Sequence, residues 1–464
     1  MKVSANVAQA LVPAVSALMP ARLLPLFLLA ISAPLIPLAR ADFAAGARAY
    51  EKGDYAKARK EWLALADKGD ATSQISLGYM YANGRGVPRD HVEAVKWYRR
   101  AAEQGNAKAQ WYLGFSYSKG QGVPKNYREA IKWHELAAQQ GFARSQIRLG
   151  LIYSQGQGVP QDYKEAMKWY RMAAEKGDPL AEVHLGAMYD YGQGVAKDDQ
   201  EALKWYRCAA GKGDALAQVH LGLMYDHGQG VQLDYQEALK WYRLAADQGN
   251  TLAQVHLGIL YDYGQGVPQS DREALKWYRR AADQEDSSAQ FILAGIYARG
   301  QGVQADPKEA LKWYRLSAEQ GFAEAQYRLG GVYSKGQPGI IRDLKEALKW
   351  YLFAAEQGHV PAQAAVAAMY AAGQGTRQDW KEAAKWFRLS AEHGNIRAQI
   401  GLADLYAKGR GVPHDLVLAY VWTSLSGQTA ALKSLAEQMT PEQLTEAQRG
   451  VTDWKPKKAA HPLT

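Results

Sequence analysis

The sequence predicts an all-α solenoid of about ten tandem 36-residue helix–turn–helix repeats. Three observations carry that prediction: a tryptophan recurring at near-constant spacing, a tyrosine that keeps the same period, and helical apolar periodicity inside each unit. The tryptophans are Trp97, Trp133, Trp169, Trp205, Trp241, Trp277, Trp313, Trp350, Trp386 and Trp422, every interval being 36 residues except the 37 between Trp313 and Trp350. The tyrosines are Tyr81, Tyr117, Tyr153, Tyr189, Tyr225, Tyr261, Tyr297, Tyr333, Tyr370 and Tyr406, with the same single-residue insertion. A unit that spends the same residues repeatedly also explains 14 Trp and 28 Tyr against only 8 Phe in 464 residues.

In chain order, the first element is a targeting segment, residues 1–41. It holds Lys2, Arg22 and Arg40 and no carboxylate, and residues 23–38 are apolar and uncharged. Ala39-Arg40-Ala41 places small residues where a signal peptidase reads, so cleavage is expected between Ala41 and Asp42. The apolar run is 16 residues with three prolines, short of the roughly 20 a spanning helix needs. No later stretch is long and apolar enough to span a membrane, and no cysteine follows the run to carry a lipid. The expected location is periplasmic or secreted. Met19, just ahead of Arg22, is an alternative initiator to Met1.

Residues 42–70 carry a related pattern without the Gly-x-Gly loop and are expected to form an N-terminal capping hairpin, since terminal repeats differ where one side meets water. Ten full units follow over 71–431, and 432–464 are expected to hold a capping helix and a flexible basic tail. Thr440, Pro441 and Gln443 mark the start of that helix by capping chemistry.

The third unit, 143–178, shows why each unit is two helices. Leu149 and Tyr153 are four apart and share a helix face. Gly150 beside them costs about 1 kcal/mol of helix propensity, which implies close approach by a neighbouring helix with large rings around it. Gly156-Gln157-Gly158-Val159-Pro160 stops the first helix. Asp162 opens the second, and Asp162 with Glu165 has capping-box spacing. Ala166, Trp169, Tyr170, Ala173 and Ala174 then form an i, i+3, i+4, i+7, i+8 apolar stripe, and Gly177 ends the helix. Helices of about three turns are marginal alone, so stability must come from stacking.

The formal charge of +9 favours acidic partners without specifying nucleic acid, because the body has no recognition helix, zinc-finger spacing or dense basic run. Cys208 is the single cysteine, so no intramolecular disulfide exists, and it is expected as buried or half-buried filler. There is no G-x-S-x-G, HExxH or Walker motif. The chain is therefore expected to be no enzyme, with no cofactor and no metal.

The pattern of Ala217-Gln218, Leu221-Gly222, Tyr225, Gly228-Gln229-Gly230-Val231, Asp234, Glu237-Ala238 and Lys240-Trp241-Tyr242 resembles the Sel1-like repeat, a relative of the tetratricopeptide repeat. The resemblance covers nearly all of the mature chain. It implies a right-handed α/α superhelix that binds a protein or peptide on its concave face. For exported bacterial members it implies scaffolds of envelope complexes, polysaccharide secretion machinery included. A cysteine-rich branch linked to penicillin binding has a disulfide in each repeat. With Cys208 alone, this chain lacks that branch's mark.

Recognition positions vary where scaffold positions repeat. Just before the Leu-Gly pair, successive units carry Ser76, Tyr112, Arg148, His184, His220, His256, Ile292 and Arg328. The three histidines are each accompanied by an aspartate after the closing tyrosine (Asp190, Asp226, Asp262) and then by Tyr191, His227 and Tyr263. These nine residues are the candidate ligand-binding stripe, suited to a polar peptide or glycan; duplication of one unit with locally satisfied histidines is the alternative. Equivalent residues of stacked helices stand about 10 Å apart, too far to share one zinc ion with bonds of about 2 Å. The expected function is a non-enzymatic interaction scaffold of the cell envelope whose partner is an envelope or secreted protein or peptide. The alternatives are a scaffold that binds anionic polysaccharide or serves its secretion, and a cell-wall hydrolase.

Overall fold

The computed structural model describes residues 37–457, and every regular element among them is a helix, numbered α1 to α24 in chain order. The leader expected over 1–41 falls outside the described residues up to position 36. Contacts divide the chain into two compact units that part between Asn250 and Thr251. In the first, the hairpin of α1 (Pro37–Glu51) and α2 (Tyr55–Ala66) precedes five repeats, and each helix packs on the next. The second holds five more repeats followed by α23 (Thr429–Ala436) and α24 (Pro441–Asp453).

The third repeat shows the local logic. Its first helix, α7 (Ala143–Gln155), ends on Gly156 at φ 64°, left-handed backbone that glycine supplies without strain. Its second helix, α8 (Tyr163–Ala174), is capped by Asp162, whose carboxylate accepts from the Lys164 and Glu165 amides at 2.9 and 3.0 Å. The expected capping box is only half made. Glu165 does not reach back; it pairs with Lys168 at 3.0 Å, an ammonium one turn on being a stronger partner than the N-cap amide. The reciprocal box occurs in α24, where Thr440 and Gln443 bond each other's amides at 3.0 and 3.3 Å.

The core rests on a tyrosine lying over a helix glycine. A Cβ added to Gly150 would stand 2.5 Å from Tyr170 Cε1; at Gly186 and Gly222 the clash with Tyr206 and Tyr242 would be at 2.6 and 2.4 Å. No real contact is that short, so the second helix approaches the first as closely as it does because the side chain is missing. The neighbouring tryptophan works across the repeat boundary. Trp169, 6% exposed, clusters with Ile131 and Ala138 of the preceding repeat, and Trp97 is equally buried. Trp241 is half-buried against the cluster of the fourth repeat.

Each buried ring also imposes a polar requirement. The hydroxyl of Tyr170 meets Ser154 Oγ at 3.4 Å, and Tyr351 meets Ser334 at 3.3 Å. In the ninth repeat, where Ala371 stands at that position, the ring is Phe387 and has no hydroxyl to satisfy. A second ladder ties repeats together. Gln104 Nε2 donates to Gln74 Oε1 at 2.7 Å and Gln140 to Gln110 at 2.9 Å, while Gln74 donates to the Ala66 carbonyl ending α2. Some rungs are exchanged: Glu182 replaces the glutamine and Lys212 answers it at 2.5 Å, while Lys176 and His393 at the donor position bond the Gly141 and Lys457 carbonyls instead.

Departures from the repeat are absorbed locally. Glu285 stands where other junctions have glycine and keeps φ 65°, the one non-glycine residue with positive φ among the described residues. The junction bonds persist, with Glu285 N on the Ala282 carbonyl and Asp286 capping α15 (Ser287–Arg299). The inserted residue closes a small turn through the Gln337–Ile340 bridge, burying Ile340 and leaving Ile341 88% exposed. At the end of the chain α24 packs on α22 (Leu416–Leu425), Trp454 meets Trp422 edge-on at 6.3 Å, and Lys457 pairs with Glu392 at 2.6 Å.

The seating of tyrosine on glycine makes two alanine substitutions diverge. Gly186→Ala forces a methyl into the fully buried Tyr206 ring. Overpacking of about 1–3 kcal/mol outweighs the gain in helix propensity. Gly211→Ala, at the end of α10 (Asp199–Gly211) with nothing within 4 Å, is expected to gain about 0.5–1 kcal/mol. Urea unfolding at pH 7.5 should move the two midpoints in opposite directions; a neutral or stabilising Gly186→Ala contradicts the packing account.

Candidate functional site

The structure places the histidines against rings. The His184 imidazole stacks on Tyr170 and that of His220 on Tyr206, both at 4.5 Å and within 17° of parallel. Tyr112 occupies the same position on Tyr98 at 4.7 Å, and Gly401 takes it beneath Phe387. The variable position before the Leu-Gly pair is thus the one that covers the preceding repeat's ring. His220 and His256 are buried, and His184 has a buried Nε2 without a partner among the described residues. Desolvation pulls the pKa of His184 and of His220 down to about 4, so both are neutral at neutral pH.

The aspartates turn the other way, toward the tyrosine of their own hairpin. Asp226 accepts from the Tyr242 hydroxyl at 3.2 Å, Asp190 lies beside buried Tyr206, and Asp262 accepts from Gln301 Nε2 at 2.6 Å. Burial raises the carboxyl pKa of all three. The histidine and aspartate of one repeat therefore serve two different rings; no hydrogen bond joins His184 to Asp190 among the described residues. What faces water from the nine residues is Tyr191 (40% exposed), Tyr263 (69%) and His227, whose Nδ1 donates to the Leu223 carbonyl at 2.9 Å.

A different surface stands out on the first helices of repeats one to three, all in the unit ending at Asn250. These are α3 (Ala71–Asn83), α5 (Ala107–Lys119) and α7, and none of the three carries an Asp or Glu. Trp111 lies outside the tryptophan ladder. Its ring stacks on Phe115 at 5.7 Å, meets Phe142 at 6.3 Å, and carries the Arg144 guanidinium at 5.5 Å. Lys108 is solvent-exposed, yet desolvation by the surrounding protein and then the charge of Arg144 lower its pKa. Arg148, half-buried over His134, is likewise lowered by desolvation and has only Ser118 Oγ near, at 3.4 Å. Among the described residues none of these cations has a carboxylate within ion-pair distance. Sequence reading placed Arg148 only as a variable position and passed over Lys108 and Arg144. The signals were Trp111 out of register and the absence of acid from the first helices of three consecutive repeats.

The second helices present a sparser feature. Leu136, Leu244, Leu316, Phe353 and Leu389 occupy one register position and are exposed. Cys208 shares that position and is a free, exposed thiol, which corrects the expectation of buried filler. Two residues past the inward Tyr206, the helix has turned it to water. Lysines flank these side chains, and most are paired with a glutamate three residues earlier, as Lys96 with Glu93 and Lys240 with Glu237. Apolar residues scattered singly in this way are ordinary surface.

A family model described as Sel1 repeat matches ten consecutive segments: 71–106, 107–142, 143–178, 179–214, 215–250, 251–286, 287–322, 323–359, 360–395 and 396–427. Among solved structures, the chain is similar to a protective antigen present in uropathogenic Escherichia coli strains that displays an SLR fold. The two are 35% identical, with 92% of this chain and 93% of that one covered and a TM-score of 0.60. It is also similar to a Sel1 repeat protein from Oxalobacter formigenes, 33% identical over 68% of this chain and 93% of that one, with a TM-score of 0.54. A search of curated proteins gives no match.

The stacked histidines fix a pH response. With a folded pKa near 4 and an unfolded value of about 6.5, each contributes stability that is complete above pH 6.5 and is lost as pH falls toward 4. The full loss is about 3 kcal/mol per histidine. The raised aspartates act in the opposite sense, so the wild type must be compared with a variant. His184→Tyr/His220→Tyr, which copies the Tyr98–Tyr112 stack, is expected to retain clearly more of its pH 7.5 urea stability at pH 4.5 than the wild type does. An identical pH dependence in the two contradicts buried, neutral imidazoles.

Proposed function

The chain belongs to the Sel1 repeat family, and from that premise we propose that it is a non-enzymatic scaffold of the cell envelope, periplasmic or secreted, that binds a protein or peptide on its first-helix face. Repeats of this family generally mediate protein–protein interaction and are generally non-catalytic. One observation carries the choice of face. The recurring residues (glycine, tyrosine, tryptophan and glutamine) are consumed by packing between helices, whereas the outward positions of the first helices change from repeat to repeat. Thr72, Lys108 and Arg144, all exposed, are one such series, and the half-buried Tyr79, Phe115 and Ala187 another. A surface that varies on a fixed frame can distinguish partners, and one that repeats cannot.

Export rests on the leader-like residues 1–41. The likeness to a protective antigen of uropathogenic E. coli fits an exported chain. Among the described residues no helix is long and apolar enough to cross a membrane. Tyr191 and His227 would lie at the margin of the bound segment, since their side chains still face water.

The test places a photo-crosslinking residue at Phe115 on the first-helix face, and separately at Leu244 on a second helix, in the full chain expressed in a Gram-negative host. One dominant, saturable protein adduct from position 115 and none from 244 is expected, with the mature chain outside the cytoplasm and beginning at Asp42. Adducts from 244 alone, or a full-length cytoplasmic chain, would overturn the reading of face or of location.

A further inference from the structure

Resting on the scaffold reading, we infer that the first-helix face of repeats two and three is built for an acidic peptide segment of the partner, whose carboxylates sit on Lys108 and Arg144 beside the Trp111–Phe115 aromatic pair.

The argument starts from charge left uncompensated. On the second helices most of the recurring lysines are neutralised within their own turn, as Lys168 by Glu165 at 3.0 Å and Lys204 by Glu201 at 3.0 Å, the exception being Lys132, which lies over the Trp133 ring. On α3, α5 and α7 there is no carboxylate to do the same. Lys108 and Arg144 are close enough for one charge to disfavour the other, and Arg148 adds a third cation one turn along α7. Like charges held together without a counter-charge raise the energy of the free protein. An incoming anion removes that repulsion and gains two charge-assisted hydrogen bonds. Arg144 can also fork onto one carboxylate, a geometry a lysine cannot offer.

The aromatic residues choose between anions. Arg144 lies over the Trp111 ring at 5.5 Å and Phe115 stacks on it at 5.7 Å, so the ring is already engaged by two protein partners and offers less free face to a sugar. What remains is an apolar edge formed with Phe142 at 6.3 Å. That edge suits an aliphatic or aromatic side chain next to an acidic one. A polyuronate would supply carboxylates but nothing for the edge. An acidic peptide with one apolar residue supplies both.

The probe is a fluorescein-labelled dodecapeptide with six Asp and Glu residues around one Phe. Its neutral twin carries Asn and Gln, and its basic twin carries Lys. Anisotropy titrations use the full chain at physiological salt, where long-range attraction is screened within about 8 Å. The acidic peptide is expected to saturate, with the neutral twin at least tenfold weaker. Lys108→Gln/Arg144→Gln should lose at least tenfold in affinity, while Lys168→Gln/Lys204→Gln stays within twofold. Lys108→Glu/Arg144→Glu should acquire binding of the basic twin, a gain that an unfolded variant would not mimic. Equal binding of the acidic and neutral peptides overturns the inference. So does unchanged affinity in the 108/144 variant, or binding of polygalacturonate in preference to the peptide. If the peptide fails while position 115 still captures a protein, this inference falls and the scaffold reading stands.

Discussion

One contact recurs through most of the fold: in six of the ten repeats a tyrosine of the second helix lies on a glycine of the first, and in the second repeat His134 takes the ring's place. Helix interiors ordinarily exclude glycine because it costs about 1 kcal/mol. Here the missing Cβ lets the two backbones approach, and Tyr170, Tyr206, Tyr242 and Tyr278 become the largest fully buried side chains. The ring has a second face, and the next repeat covers it. Tyr112, His184 and His220 are each a planar side chain laid on the ring 14 positions earlier. One residue type therefore closes its own hairpin and recruits the next. The repeat propagates because the exposed face of the last ring is always unfinished.

The buried hydroxyl sets the rest of the pattern. A phenol taken out of water needs a partner, and in the third and fifth repeats the position 16 residues before the ring supplies one, serine at Ser154 and aspartate at Asp226, whereas buried Tyr98 and Tyr314 have Ala82 and Ala298 there. The ninth repeat has Ala371 there and Phe387 as the ring, and both halves of the requirement vanish together. In the glutamine ladder Glu182 appears with Lys212, while Lys176, at the same position one repeat earlier, bonds the Gly141 carbonyl.

Much of the fold was legible because its period is literal. Helix pairs, left-handed glycines, aspartate caps and the closing helix with its Thr440–Gln443 box all follow from local chemistry that a sequence displays. The candidate stripe was only half legible. His184, Asp190 and Tyr191 stand in one line of text, but residues six apart on a helix point about 120° away from each other, so the histidine and aspartate serve different neighbours. Which tyrosine faces which histidine depends on the packing of α8 (Tyr163–Ala174) against α9 (Pro179–Tyr191), and no local spacing encodes it. Cys208 was misplaced although local spacing does encode its place, two residues past the inward Tyr206 and therefore turned to water. The basic aromatic surface was missed because its signal is an absence, three helices with no carboxylate. This chain divides its surface accordingly, spending repeated residues on the frame and leaving varied ones outward.

The most direct test of the recurring contact is a double-mutant cycle between Tyr206 and His220. Tyr206→Leu, His220→Ala and the double variant would be compared by urea unfolding at pH 7.5. If the ring both closes its hairpin and holds the next repeat, the two losses are coupled by about 1 kcal/mol. Losses that add within about 0.3 kcal/mol would mean that the histidine does not lean on the ring, and that the repeats are joined by something else.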